Sequence, residues 1–170
     1  MRRLPHQPIC ALFAGILALV LPALAGPGDN AGWSVDVDPR KRAFLKFVSQ
    51  IDGPRLLVLG CLRDVDSFVV LSEELADAMP ADNVTLTVAN EQAGYSVDGK
   101  IELDGVTQIQ GFTAELDADS KMLRNIEEQL MPVLEGRGPI VLSVASISRE
   151  IPVKGLAAPL KRFKSVCFSR

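Results

Sequence analysis

Histidine is almost missing from this chain: of 170 residues only His6 is one, and it lies in the N-terminal segment. Aromatic residues make up 5% of the chain, with a single Trp and a single Tyr, and there are three cysteines. Basic residues are outnumbered, 18 against 21 acidic, which gives a formal net charge of −3. Each shortage excludes something. A serine–histidine–carboxylate triad, a cysteine–histidine pair and histidine-ligated zinc all need an imidazole as base or ligand. Few aromatics leave few platforms for stacking sugars or bases. An acidic balance opposes a global grip on nucleic acid, which draws on clustered Lys and Arg.

What is present starts with an uneven first segment. Arg2 and Arg3 form a positive start, Ile9 to Leu21 an apolar run, and Ala23-Leu24-Ala25 a small-residue cleavage site. Together they predict a secretory signal peptide over residues 1–25, with the mature protein beginning near Gly26. His6, Cys10 and both arginines leave with it, so the net charge moves by two, from −3 to about −5. Beyond it no apolar run reaches the roughly 20 residues that a bilayer span needs. The sequence therefore predicts a periplasmic or secreted protein without a transmembrane span after cleavage.

Export changes the meaning of the two remaining cysteines, Cys61 and Cys167. An even pair in an oxidising compartment predicts one disulfide, here closing most of the mature chain. Redox catalysis would call for a low-pKa thiolate, usually in a C-x-x-C turn at a helix N-terminus, and this spacing provides none.

The periodicity predicts an α+β domain over residues 33–170: an antiparallel β-sheet or small β-sandwich with one or two packed helices and the disulfide. A flexible arm, residues 26–32, precedes it. Strand patterns run over Trp33–Val37, Arg55–Leu62, Ser67–Leu71, Val84–Ala89 and Pro139–Ile147. Ala43–Ile51 reads as strand with an amphipathic helix as the alternative. Asp98-Gly99 stands between two alternating runs and predicts a hairpin turn, with Asp104-Gly105 as a second reversal leading to Ile109–Phe112. Ser72–Met79 predicts a short helical turn capped by Ser72. Longer helical spacing covers Ser120–Glu135, which Pro132 should shorten or kink, and Leu156–Val166 after Gly155. Ile151-Pro152-Val153 fits a sheet edge.

The order of landmarks resembles a known group: a signal peptide, an early Trp33, Leu59-Gly60-Cys61 in mid-chain, and Ile151-Pro152-Val153-Lys154-Gly155-Leu156 leading through a short helix to Cys167. It is similar to small bacterial periplasmic proteins of the invasion-associated locus B type and to accessory periplasmic proteins of type VI secretion. That resemblance implies a stapled β domain without an active site, acting in the envelope through contacts with another envelope protein.

The candidate chemistry is thin. Asp36 with Asp38, Asp64 with Asp66, Glu73 with Glu74, and Asp117 with Asp119 are paired acids suited to acid–base work or a hard cation, though neither a calcium loop nor glycosidase spacing accompanies them. Solvated turns are the simpler reading, and neither a catalytic residue, a metal ligand nor a cofactor is assigned. Two basic clusters, Arg40-Lys41-Arg42 and Lys161-Arg162-Lys164 with Arg170, form a possible partner surface. The alternative functions are a carboxylate-dependent hydrolase or lyase, and a periplasmic inhibitor or chaperone-like module using the edge at Ile151-Pro152-Val153. Trp33 is expected in the core near the disulfide.

Overall fold

Alternating apolar residues dictate the architecture, a single antiparallel sheet of nine strands, in the computed structural model, which describes residues 31–73, 81–103 and 110–169. The elements are β1 (Gly32–Asp38), β2 (Arg42–Val48), β3 (Arg55–Leu62), β4 (Ser67–Ser72), β5 (Ala81–Ala89), β6 (Gly94–Leu103), β7 (Gln110–Asp117), α1 (Ser120–Asn125), a π-helical turn (Ile126–Leu130), α2 (Met131–Glu135), β8 (Ile140–Val144), β9 (Ile147–Ile151) and α3 (Ala157–Cys167). The spatial order is β1-β2-β3-β4-β7-β6-β5-β8-β9. The fold is thus β-rich α+β, one sheet and not a sandwich.

Register places the period-two residues in rows across the strands. Ala43, Cys61, Phe68 and Leu116 form one row, and Leu45, Leu59, Val70 and Ala114 the next. These rows face the helices, and six of their eight side chains are below 2% exposed. Burying each Leu or Phe in them contributes about 1.5–3 kcal/mol. On the opposite face Thr85 bonds Asp98, Thr87 bonds Ser96 and Ser143 bonds Ser148 across neighbouring strands. Polar cross-strand pairs of this kind suit a face turned to water.

Two sequence expectations are corrected here. Asp98-Gly99 makes no hairpin, because β6 runs unbroken through it. Gly99 is needed for another reason: a Cβ there would stand 2.4 Å from the Thr113 carbonyl oxygen and 2.6 Å from the Phe112 ring. Strand β7 passes too close for a side chain. The chain instead reverses between Leu103 and Gln110, where Asp104-Gly105 lies outside the described residues. The predicted strand Pro139–Ile147 is two strands, β8 and β9, turned at Ala145 with φ of +50°. The helical turn expected over Ser72–Met79 falls on residues 74–80, outside the described residues, and Ser72 itself is the last residue of β4 and 1% exposed.

Pro132 shows how a helix absorbs a missing donor. The Met131 N–H reaches the Ile126 carbonyl, a five-residue step, so the preceding turn widens into a π-turn and the helix continues to Glu135. Asp119 caps its start by accepting from the Met122 N–H at 2.7 Å. Near its end Asn90 donates to the Val133 carbonyl at 2.8 Å, which ties α2 to the β5–β6 turn.

Helix α3 lies on β1, β2 and β3, while the π-turn packs on β6. Phe163 fills the space between α3 and the sheet, edge-on to Phe68 and to Phe168, each at a centroid distance of 6.4 Å. The two sheet edges approach each other at one end, where the Trp33 indole donates to the Pro152 carbonyl at 2.6 Å. Trp33 is half-buried and tilts over Phe47, its partner on β2. Cys61 pairs four residues further along β2, at Ala43, so Trp33 and the cysteines stand roughly 13 Å apart along the strand direction. The expectation of Trp33 beside the cysteines is thereby overturned.

Candidate functional site

Two places in the fold gather the residues with chemistry. The first is the corner where the β1–β2 turn, the β3–β4 turn and the end of α3 meet. Cys61 is the seventh residue of β3 and points to the helix face. Cys167 ends α3, and the packing of Phe163 one turn earlier directs it onto β3. Both are fully buried. Their thiols lie near each other but are not covalently joined, so the expected bridge is not formed in this structure. The physical reason is distance: the two sulfurs stand farther apart than an S–S bond.

The pair is electrostatically unequal. The neighbouring Cys167 thiol holds the Cys61 thiol below the usual range, and the Arg63 guanidinium acts in the same direction against burial. Burial pushes the Cys167 thiol strongly up, with Cys61 adding to the shift. Arg63 links the corner together. Its backbone N–H donates to the Lys41 carbonyl at 3.4 Å, and its Nη1 donates to the Cys167 carbonyl at 3.1 Å. It thereby satisfies an orphan carbonyl at the end of α3. A cavity of about 370 Å³ opens beside Cys167, bordered by Arg63, Arg124, Glu127 and Phe168.

The second place is a groove of about 420 Å³ between the end of α2 and α3. Leu134, Leu156 and Leu160 form its floor, with Val153 and Ala157 beside them. Glu135, Lys161 and Lys164 rim it, and Lys164 Nζ bonds Glu135 Oε1 at 2.5 Å.

The predicted basic surface divides between these places. Arg40, Lys41 and Arg42 occupy the β1–β2 turn, where Asp38 accepts from the backbone N–H groups of Arg40 and Arg42. Arg42 pairs with Asp64 at 2.5 Å, which holds the Asp64 carboxyl below its ordinary value and raises the arginine. Lys161 and Lys164 face the groove, and Arg162 is exposed on the same helix. Arg170 lies outside the described residues.

In each acid pair at least one carboxylate is engaged in local structure. Asp36 pairs with Lys46 at 3.0 Å, Asp38 and Asp119 cap backbone, and the Asp66 carbonyl accepts from Ala118. Glu73 accepts from the Arg55 backbone N–H at 2.7 Å and pairs with its guanidinium, and Glu74 lies outside the described residues. Among the described residues no three His, Cys, Asp or Glu side chains gather as a metal site, and no helix is long and apolar enough to cross a membrane.

Sequence reasoning missed Arg63 and the groove. Arg63 stands two residues after Cys61 in a charged turn, a spacing that signals nothing until α3 is folded onto β3. The groove needs residues from two separate segments, 134–136 and 153–164. In comparisons with family models, with curated proteins and with solved structures, the chain matches none.

Proposed function

We propose that this is an exported, non-enzymatic protein of the bacterial envelope, a β-rich scaffold stapled by a Cys61–Cys167 disulfide and acting through contacts with another envelope protein. The carrying observation is the meeting of the two cysteines of the expected mature chain at one buried corner. Two apolar-buried thiols, brought together from opposite parts of the chain, are what an oxidising compartment converts to a staple. The resemblance to invasion-associated locus B and type VI accessory proteins points to the same compartment and role.

Bridge formation runs by thiol–disulfide exchange with a disulfide-bearing oxidant. Cys61, the more acidic thiol, loses its proton and attacks one sulfur of that disulfide, releasing the other as a thiolate. Cys167 then loses its proton and displaces the oxidant from Cys61. Two electrons and two protons pass to the oxidant, and one S–S bond forms in the protein. The cavity beside Cys167 supplies the approach once the last turn of α3 opens.

The rival functions have less support. A carboxylate-dependent hydrolase or lyase would need unengaged acids, whereas Asp36, Asp64, Glu73 and Asp119 each hold a structural partner. An inhibitor or chaperone-like module would use the edge at Ile151-Pro152-Val153, yet Ile151 is buried and the Pro152 carbonyl is taken by Trp33.

The test is cell fractionation followed by intact-mass measurement with and without reductant. The expected result is an extracytoplasmic protein, shortened at the N-terminus, that gains two hydrogens on reduction. Two unbridged thiols in an exported protein would remove the staple, and recovery from the cytosol would remove the compartment.

A further inference from the structure

Bridge closure has two steps, and the second is the harder one for this corner. Once Cys61 carries the oxidant, Cys167 has to lose its proton and displace it, yet burial pushes that thiol strongly up. Arg63 is placed to answer this. It is the second residue after Cys61, and the bond from its N–H to the Lys41 carbonyl continues the β2–β3 ladder one step beyond Arg42 and Leu62. The alternation of β3 therefore runs on through it, and its side chain leaves on the helix face, as that of Cys61 does. There its Nη1 donates to the Cys167 carbonyl at 3.1 Å. Arg42 and Arg55 are each paired with a carboxylate, Asp64 and Glu73, whereas Arg63 is half-buried and pairs with none among the described residues. Arg124 and Glu127, opposite in sign, border the cavity beside Cys167, and Asp66, Asp117 and Asp119 line a neighbouring cavity that Arg63 also walls. On α3 itself Lys164 is taken by Glu135.

We propose that Arg63 is the positioning residue of the closing step, tying the Cys167-bearing turn of α3 to the end of β3 and bringing a guanidinium without a carboxylate partner to the corner. The tie runs to the carbonyl of the attacking residue itself, so it returns Cys167 to β3 after the last turn has opened to admit the oxidant. The charge favours the thiolate of either cysteine over the thiol. In the step itself the Cys167 thiolate attacks the Cys61 sulfur of the mixed disulfide and the bond between Cys61 and the oxidant breaks. The second half of the oxidant leaves as a thiolate and takes up the proton that Cys167 released. This inference rests on the reading of the pair as a staple, and it names the residue that drives the closure.

The experiment mixes the reduced full chain with hydroxyethyl disulfide, quenches by alkylation and follows the intact mass over time and pH. A neutral oxidant is used so that Arg63 gains nothing by attracting it. The unaltered protein is expected to reach the bridged form with little mixed disulfide in view, and peptide mapping to find that adduct on Cys61. Arg63→Gln keeps a donor for the Cys167 carbonyl and removes the charge. If the Cys167 pKa rises by about one, the thiolate falls about tenfold while its greater basicity regains about threefold in reactivity, so closure of the adduct should slow about three- to tenfold and its pH profile move upward. Arg63→Lys should bring the profile back, and Arg63→Ala, lacking both donor and charge, should accumulate the most adduct. Arg162→Ala, which takes one cation from an exposed position on the same helix, should change neither rate nor profile. Circular dichroism matching the unaltered protein shows that each variant is folded. Closure of Arg63→Gln at the unaltered rate, a slowing equal at every pH, a profile that Arg63→Lys leaves displaced, or an adduct on Cys167 overturns the proposal. So does an equal effect of Arg162→Ala, which would make the cause net charge. Failure here is separate from failure of the staple reading. A chain that bridges at a rate indifferent to Arg63 loses this inference alone, and an unaltered chain that never bridges loses the staple and the closing step with it.

Discussion

Forming the proposed Cys61–Cys167 bridge should stabilise the protein by up to about 4.7 kcal/mol, the chain-entropy value for a loop of about 100 residues. Positions 61 and 167 enclose such a loop. This is an upper figure, because the two free thiols do not stand at S–S distance and closing the bond shifts the β3–α3 contact. For a domain of this size each kcal/mol moves Tm by about 3 °C, so the bridged form should melt roughly 14 °C higher. In guanidinium, with a slope near 4 kcal/mol/M, the midpoint should rise by roughly 1 M. The assay is equilibrium unfolding of the bridged and reduced forms, followed by far-UV circular dichroism and by the fluorescence of Trp33. Cys167→Ser without reductant serves as a second unbridged form. A bridged protein whose midpoint lies within about 0.2 M of the reduced one would refute the reasoning. The gain would then have been cancelled by distortion of the corner or by residual structure in the unfolded chain.

Three smaller predictions follow from packing and charge. Phe163→Ala empties the space between Phe68 and Phe168 and should cost about 3–5 kcal/mol in urea unfolding; a loss below about 1 kcal/mol would mean that α3 does not pack as described. Gly99→Ala forces β6 away from the Thr113 carbonyl and should cost about 1–3 kcal/mol by the same measurement, whereas an unchanged midpoint would return Asp98-Gly99 to a loop. Arg42 depresses the folded Asp64 pKa, so their coupling is complete above the unfolded carboxyl value of about 3.9 and is lost as pH falls through the folded value. A double-mutant cycle of Arg42→Ala and Asp64→Asn should show coupling at neutral pH that fades in acid, and coupling that persists in acid would contradict the pairing.

Much of the sheet was legible because burial on one face leaves a period-two trace. Arg55–Leu62 was read to the residue, since branched and aliphatic residues buried on both faces leave little choice of state. Trp33–Val37, Ser67–Leu71 and Val84–Ala89 fell inside observed strands. The misreadings share one cause. Asp-Gly is a local hairpin signal, but at Asp98-Gly99 the glycine is required by a neighbouring strand, a tertiary demand with no local mark. Pro139–Ile147 looked continuous because Ala145 carries no turn signature, although it adopts a left-handed conformation. Pro132 is expected to shorten or kink the helix, and the five-residue hydrogen bond from Met131 that carries the helix on past it depends on backbone geometry rather than residue type.

By itself the sequence determined the β-rich α+β class, most strand positions and the two helical stretches, because these follow from composition and from periodicities a few residues long. It also singled out Cys61 and Cys167, Lys161 and Lys164. Only the tertiary structure decided that the strands form one sheet in the order β1-β2-β3-β4-β7-β6-β5-β8-β9, that Arg63 stands beside the cysteines, and that two distant segments frame a groove between α2 and α3. Those are juxtapositions of residues far apart in the chain. They are set by how the rows of buried side chains and the two helices close on each other, which no local pattern encodes.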